Sequence, residues 1–140
     1  MRLVTFASGS SETVGLHVGP MGAGKIIDVA VAAPAIGAPV PNDMMSVIRS
    51  ADTFLPGLKR VLEAYESKKL PEAAILDETK TKLLSPIPRP TSMRDGYAFR
   101  QHVETARRNR GVPMIPEFDQ FPIFYFTNHL AVTGPGDLTV

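Results

Sequence analysis

Asp95 and His102 are the pair whose types and spacing invite chemistry. They stand seven residues apart in the run Arg94-Asp95-Gly96-Tyr97-Ala98-Phe99-Arg100-Gln101-His102. The pattern predicts a helix over about 94–110. Seven residues turn such a helix through about 700°, so the two side chains fall within about 20° of one face, about 10.5 Å apart along the axis. Phe99 and Ala106 continue that face. A carboxylate and an imidazole on one stripe suit a metal ligand at one end and an acid/base at the other. The same residues also have a purely structural reading. Ser92 and Asp95 form a loose capping box, an acid in a first turn is favoured by the helix dipole, and His102 fits a packed, hydrogen-bonded core.

Other polar groups lie close by in sequence. Arg107, Arg108 and Arg110 end the predicted helix. They compensate its dipole, or they clamp a substrate carboxylate with a guanidinium fork. Tyr97 and Tyr125 are amphipathic and suit either a core or an oxyanion contact. His129 reads as a loop residue, and His17, in the amino-terminal strand region, carries no signal.

The elements that must position these groups follow from pattern and punctuation. Strands are predicted at Arg2–Phe6, Thr13–Val18 and Lys25–Val31, joined by Gly/Ser-rich turns at 8–11 and 19–24. The Pro- and Ala-rich stretch 32–41 reads as a loop. Asn42 or Asp43 caps a short helix through Met44, Val47 and Ile48. A second helix is expected over Leu55–Lys69, with Leu55, Leu58, Val61, Leu62 and Tyr65 as its apolar stripe, Lys68 and Lys69 in its last turn, and Pro71 as its stop. The alternate prolines of Leu83–Pro90 hold that segment extended. Phe121–Asn128 reads as a buried strand. Gly134-Pro135-Gly136-Asp137 reads as a turn, and Leu138–Val140 as the start of another strand. The fold class is α+β, with an amino-terminal subdomain over 1–82 and a second one beginning at 83 and running to 140.

Gly19-Pro20-Met21-Gly22-Ala23-Gly24-Lys25 matches seven positions of the phosphate-binding loop pattern. Ile26 takes the place of the required hydroxyl, and a strand, not a helix, is predicted to follow. A glycine-rich hairpin loop accounts for the match.

Composition narrows the function classes. A formal net charge of +1 over 140 residues gives no overall field for nucleic acid or a membrane surface. The absence of Cys excludes disulfides and thiolate zinc sites. No apolar run approaches a membrane span, and the first ten residues lack the apolar core of a signal peptide. The expectation is a soluble cytoplasmic protein. Thirteen prolines point to irregular connections between short elements.

Pro86–His102 and Pro116–Asn128, closed by Gly134-Pro135-Gly136-Asp137, together resemble the start of the catalytic domain in the fumarylacetoacetate hydrolase family. That family's pattern is an Asp-Phe-Tyr segment, a histidine seven residues after the Asp, a Leu/Phe-Pro-x-x-Tyr strand and a Gly-Pro-Gly turn. The likeness spans about residues 83–140, and 1–82 correspond to the family's variable amino-terminal region. The resemblance implies that Asp95 is a carboxylate ligand of Mg²⁺ or Ca²⁺ and that His102 is the base activating the attacking water. It implies substrate contacts at Tyr97 and Tyr125, and Arg110 is the nearest counterpart of a substrate-binding arginine. Gly96 stands where the family has Phe. The implied chemistry is metal-assisted attack on a β-diketone or 2-keto acid, with C–C hydrolysis first and related lyase or isomerase reactions beside it, in a homodimeric parent.

A hard divalent ion takes six or more oxygens. The family supplies a Glu-x-Glu pair and a further Asp from later strands, and Glu117-x-Asp119 only imitates the former. The expectation is therefore an incomplete metal site in a fragment of a longer enzyme, inactive by itself. The alternative is a non-catalytic binding module that uses an exposed aromatic strand at 121–126.

Overall fold

A computed structural model of the protein describes residues 1–136 of the 140. The last residue of the expected turn, Asp137, and the expected strand at Leu138–Val140 lie outside the described residues. The architecture is mixed α+β, with four α-helices and two antiparallel sheets among the described residues. Two compact units divide the chain: Met1–Pro88 with the segment that begins at Val132, and Arg89–Ala131.

The first unit is built on a four-stranded sheet in the order β1 (Arg2–Ser8), β2 (Ser11–Val18), β3 (Lys25–Asp28), β4 (Ile75–Asp77). All neighbours are antiparallel, with Leu3 opposite Leu16, Leu16 opposite Ile27, and Ile27 opposite Ile75. Period-two alternation sends Val14, Leu16 and Ile27 to one face, where they join a core with Ala32, Val47, Leu58 and Val61. Leu83–Pro88 belong to this unit through the β1 edge. Leu83 bridges Phe6, Leu84 N–H donates to Thr5 O at 2.9 Å, and the Thr5 hydroxyl donates to Pro86 O at 2.7 Å.

Three helices cover the core face. Helix α1 runs over Val29–Ala35, α2 over Met44–Arg49 and α3 over Ala51–Glu66. The predicted third strand is cut short at Asp28 because the Asp28 carboxylate accepts from Ala30 N–H at 2.9 Å and caps α1. The stretch expected to be a loop from residue 32 is thus helical to Ala35 despite Pro34, with Val29, Ala32 and Ala33 buried. Of the two caps the sequence allows, Asp43 is the one that caps α2, accepting from Ser46 N–H at 2.8 Å. Helix α3 starts four residues before the expected Leu55 and stops at Glu66. Lys68 takes a left-handed φ of 56° just past the end, so Lys68 and Lys69 lie beyond the last turn. Leu58 and Val61 are fully buried on its stripe, each burial worth about 1.5–3 kcal/mol. Strand β4 is an element the sequence pattern did not predict. It is three residues long and sits between single 3₁₀ turns at Glu72–Ala74 and Glu78–Lys80.

The second unit contains β5 (Arg94–Gly96), α4 (Arg100–Asn109) and β6 (Phe124–Phe126), with 3₁₀ turns at Pro116–Asp119 and His129–Ala131. The expected helix over 94–110 is corrected here: its first six residues are a strand and a connection. Gly96 disfavours helix, and Arg94 and Asp95 both find side-chain partners across the ribbon on β6. The expected buried strand over 121–128 shortens to three exposed residues. Helix α4 is fixed at its start by Arg100, which pairs with Asp119 and with Glu104 at 2.9 Å.

Candidate functional site

The β5–β6 ribbon sorts its side chains by alternation. Asp95 lies opposite Tyr125, with Arg94 opposite Phe126 and Gly96 opposite Phe124. Tyr97 N–H donates to Ile123 O at 3.0 Å and carries the ladder one residue further. Asp95, Tyr97 and Tyr125 therefore share one face. On the other face the Arg94 guanidinium lies 5.3 Å from the Phe124 ring centre and 4.9 Å from that of Phe126, and the two rings meet edge-on at 5.7 Å.

On the first face the Tyr125 hydroxyl donates to the Asp95 carboxylate at 2.5 Å. That hydrogen bond, and then the negative charge of Asp95, push the phenol above the ordinary tyrosine range. Tyr125 is thus held protonated, as a donor.

Helix α4 presents His102 and Ala106, and its C-cap Arg110 follows them, each about one helical turn from the last. With Tyr97, Val103 and Arg107 they line a cleft of about 80 Å³. Arg107 Nε donates to Pro113 O, and Val112 N–H returns to Arg107 O at 3.1 Å, which folds the end of the helix back on itself. Val103 is the one buried apolar side chain of this unit and forms the cleft's dry wall. Complete ligand pockets measure roughly 300–1,000 Å³. A cleft of this size holds one end of a ligand, such as a carboxylate group. Its lining includes residues that carry an imidazole, a phenol and guanidinium groups, the types that suit proton transfer and carboxylate binding.

Of the residues singled out in the sequence, Tyr97, His102 and Arg110 come together in the cleft, and Asp95 and Tyr125 are bonded to each other. Asp95 and His102 do not share a helical face, because Asp95 stands on β5 and His102 on α4. Asp119, half of the imitation Glu-x-Glu, is taken by Arg100. His129 opens a 3₁₀ turn.

A divalent ion finds few ligands. Among the described residues no group of three or more His, Asp or Glu side chains is placed to hold a metal. Asp95 offers one carboxylate, and one of its oxygens already accepts from Tyr125. These residues by themselves do not make a hard-cation site.

One polar pair escaped the sequence reading. His17, which looked uninformative, is buried and meets the buried Glu78 at 2.9 Å. Its place among Val14, Leu16 and Val18 signals a buried strand position, but no local pattern links it to a residue 61 positions on.

Compared with models of known protein families and with curated proteins, the chain matches none.

Proposed function

We propose that this chain is the amino-terminal part of a divalent-metal-dependent enzyme of the fumarylacetoacetate hydrolase type, acting on a β-diketone or 2-keto acid, with C–C hydrolysis as its reaction. In this reading residues 83–140 begin a fumarylacetoacetase-like catalytic domain. The observation that carries it is that Tyr97, His102 and Arg110 line one small cleft of about 80 Å³. His102 takes the proton of the attacking water, and Arg110 and Tyr97 hold the substrate's acid group. Tyr125 steadies Asp95, which is one ligand of a Mg²⁺ or Ca²⁺ ion. The other ligands come from residues outside this chain, and the active parent is a cytoplasmic homodimer.

The test is made on the full-length parent. His102→Ala is expected to lower kcat for a β-diketone acid by about 10²- to 10⁴-fold, the usual weight of a positioned base, with little change in KM. Asp95→Ala is expected to weaken Mg²⁺ binding in calorimetry. A His102→Ala enzyme with unchanged kcat would remove the reading.

A second reading has its own observation. Phe124, Tyr125 and Phe126 are 47%, 56% and 65% exposed on a short strand. Runs of exposed aromatics mark interaction surfaces, so a non-catalytic module binding a partner through 121–126 is the alternative. A cooperative, aggregation-free melt of the 140-residue chain favours it.

A further inference from the structure

The glycine loop that imitates a phosphate-binding sequence has an anion in it, and the anion belongs to the chain. Glu78 begins the 3₁₀ turn after β4, and its side chain is 6% exposed. Glu78 Oε2 accepts from Gly24 N–H at 2.8 Å and from His17 Nε2 at 2.9 Å. The backbone returns the contact, with Glu78 N–H donating to Gly24 O at 3.2 Å. Gly22 sits at φ 84°, in the left-handed region that favours glycine, within the turn where Ala23 N–H donates to Pro20 O at 3.3 Å. A Cβ on Gly24 would lie 2.4 Å from Val18 O and 2.8 Å from His17 Nε2, so only glycine lets the amide approach the oxygen. The other ring nitrogen, His17 Nδ1, is buried without a partner. A buried N–H there would be left unsatisfied, so the ring donates through Nε2 and keeps Nδ1 as a lone pair.

We propose that the Gly24 amide, at the end of the Gly19–Gly24 loop, and His17 form a cradle for a small carboxylate, and that Glu78 is its resident occupant. The likeness to a phosphate-binding loop is then physical. Gly24 serves the same purpose, close approach of a backbone N–H to an anion, but the ligand is covalently part of the chain. The carboxylate also ties the β2–β3 loop to the residue that follows β4, two parts of the sheet distant in sequence.

Cutting Glu78 back to Ala removes one acetate-sized group, and sodium acetate is the probe for the vacated cradle. Glu78→Ala is expected to melt lower than the parent chain. Acetate is expected to raise its melting temperature saturably, whereas sodium chloride at equal ionic strength does not, and the unsubstituted protein does not respond. An equal response to both salts, or to acetate in both proteins, overturns the proposal. Should Glu78→Ala fail to fold, Glu78→Gln decides, because it keeps the shape and an acceptor oxygen but lacks the charge. At pH 7 it is expected to melt about 5 °C or more below the parent chain. A melting temperature equal to the parent's would show that the cradle holds no anion.

Discussion

Tyr125 and Asp95 show how one hydrogen bond sets the state of a side chain. The carboxylate accepts a short hydrogen bond from the phenol, so ionising the phenol would bring two negative oxygens together. In a spectrophotometric titration Tyr125 is expected to ionise above the ordinary tyrosine range, and Asp95→Asn is expected to bring it back down. The two acids around β4 behave in the opposite direction. Glu78 is lowered to about 2, first by His17 and then by the Gly24 amide, and Asp77 to about 2, first by Thr79 and then by Lys25. Both pKa values are depressed on folding, so their contribution is complete above the ordinary carboxylate range near pH 4.5 and is lost as pH falls towards 2. Denaturant unfolding at pH 7, 4 and 3 is expected to show that decline, and Glu78→Gln to flatten part of it. Tyr97, His102 and Arg110, each singled out in the sequence, line one cleft, a grouping that no local pattern in the sequence specifies. The Asp95–His102 relation was not legible either. It assumed helix through Gly96, whereas glycine costs a helix about 1 kcal/mol and Arg94 and Asp95 gain partners only on a residue run some thirty positions away.

Elements were legible where their ends carry local chemistry. Strands β1 and β2 and helix α2 were predictable because alternation and an Asp cap are written in adjacent residues. Helix α1 was hidden because Pro34 looks like a breaker, although its cap and its three buried residues outweigh one missing N–H. Strand β4 was hidden because its partner β3 lies about fifty residues back, and no local signal marks three residues as a strand. Helix α3 gives a prediction that runs against propensity. Gly57 is buried mid-helix, where Ala is ordinarily preferred by about 1 kcal/mol. A Cβ there would sit 2.8 Å from Val40 Cγ2 and 3.3 Å from Pro39 O. Gly57→Ala is therefore expected to destabilise the first unit by about 1–3 kcal/mol in chemical denaturation, as overpacked sites do.

At the scale of the molecule the two units differ in what holds them. Met1–Pro88 encloses a continuous core of fully buried Val, Leu and Ile side chains. Arg89–Ala131 buries one apolar side chain, Val103, and leaves Phe99 at 79% and Leu130 at 80% exposure. Local stability follows buried apolar contact. In native-state hydrogen exchange, amides of β2, β3 and α3 are expected to be protected far longer than those of β5, β6 and α4. Equal protection in both sets would mean that the second unit draws stability from something other than its own core.

The two faces of the β5–β6 ribbon are also a constraint on how this gene can vary. Backbone parity alone keeps a carboxylate with a phenol on one side and a cation with benzene rings on the other. Losing or gaining one codon inside Arg94–Gly96 would exchange the sides, delivering a guanidinium where an acid belongs. Insertions there should survive only in pairs.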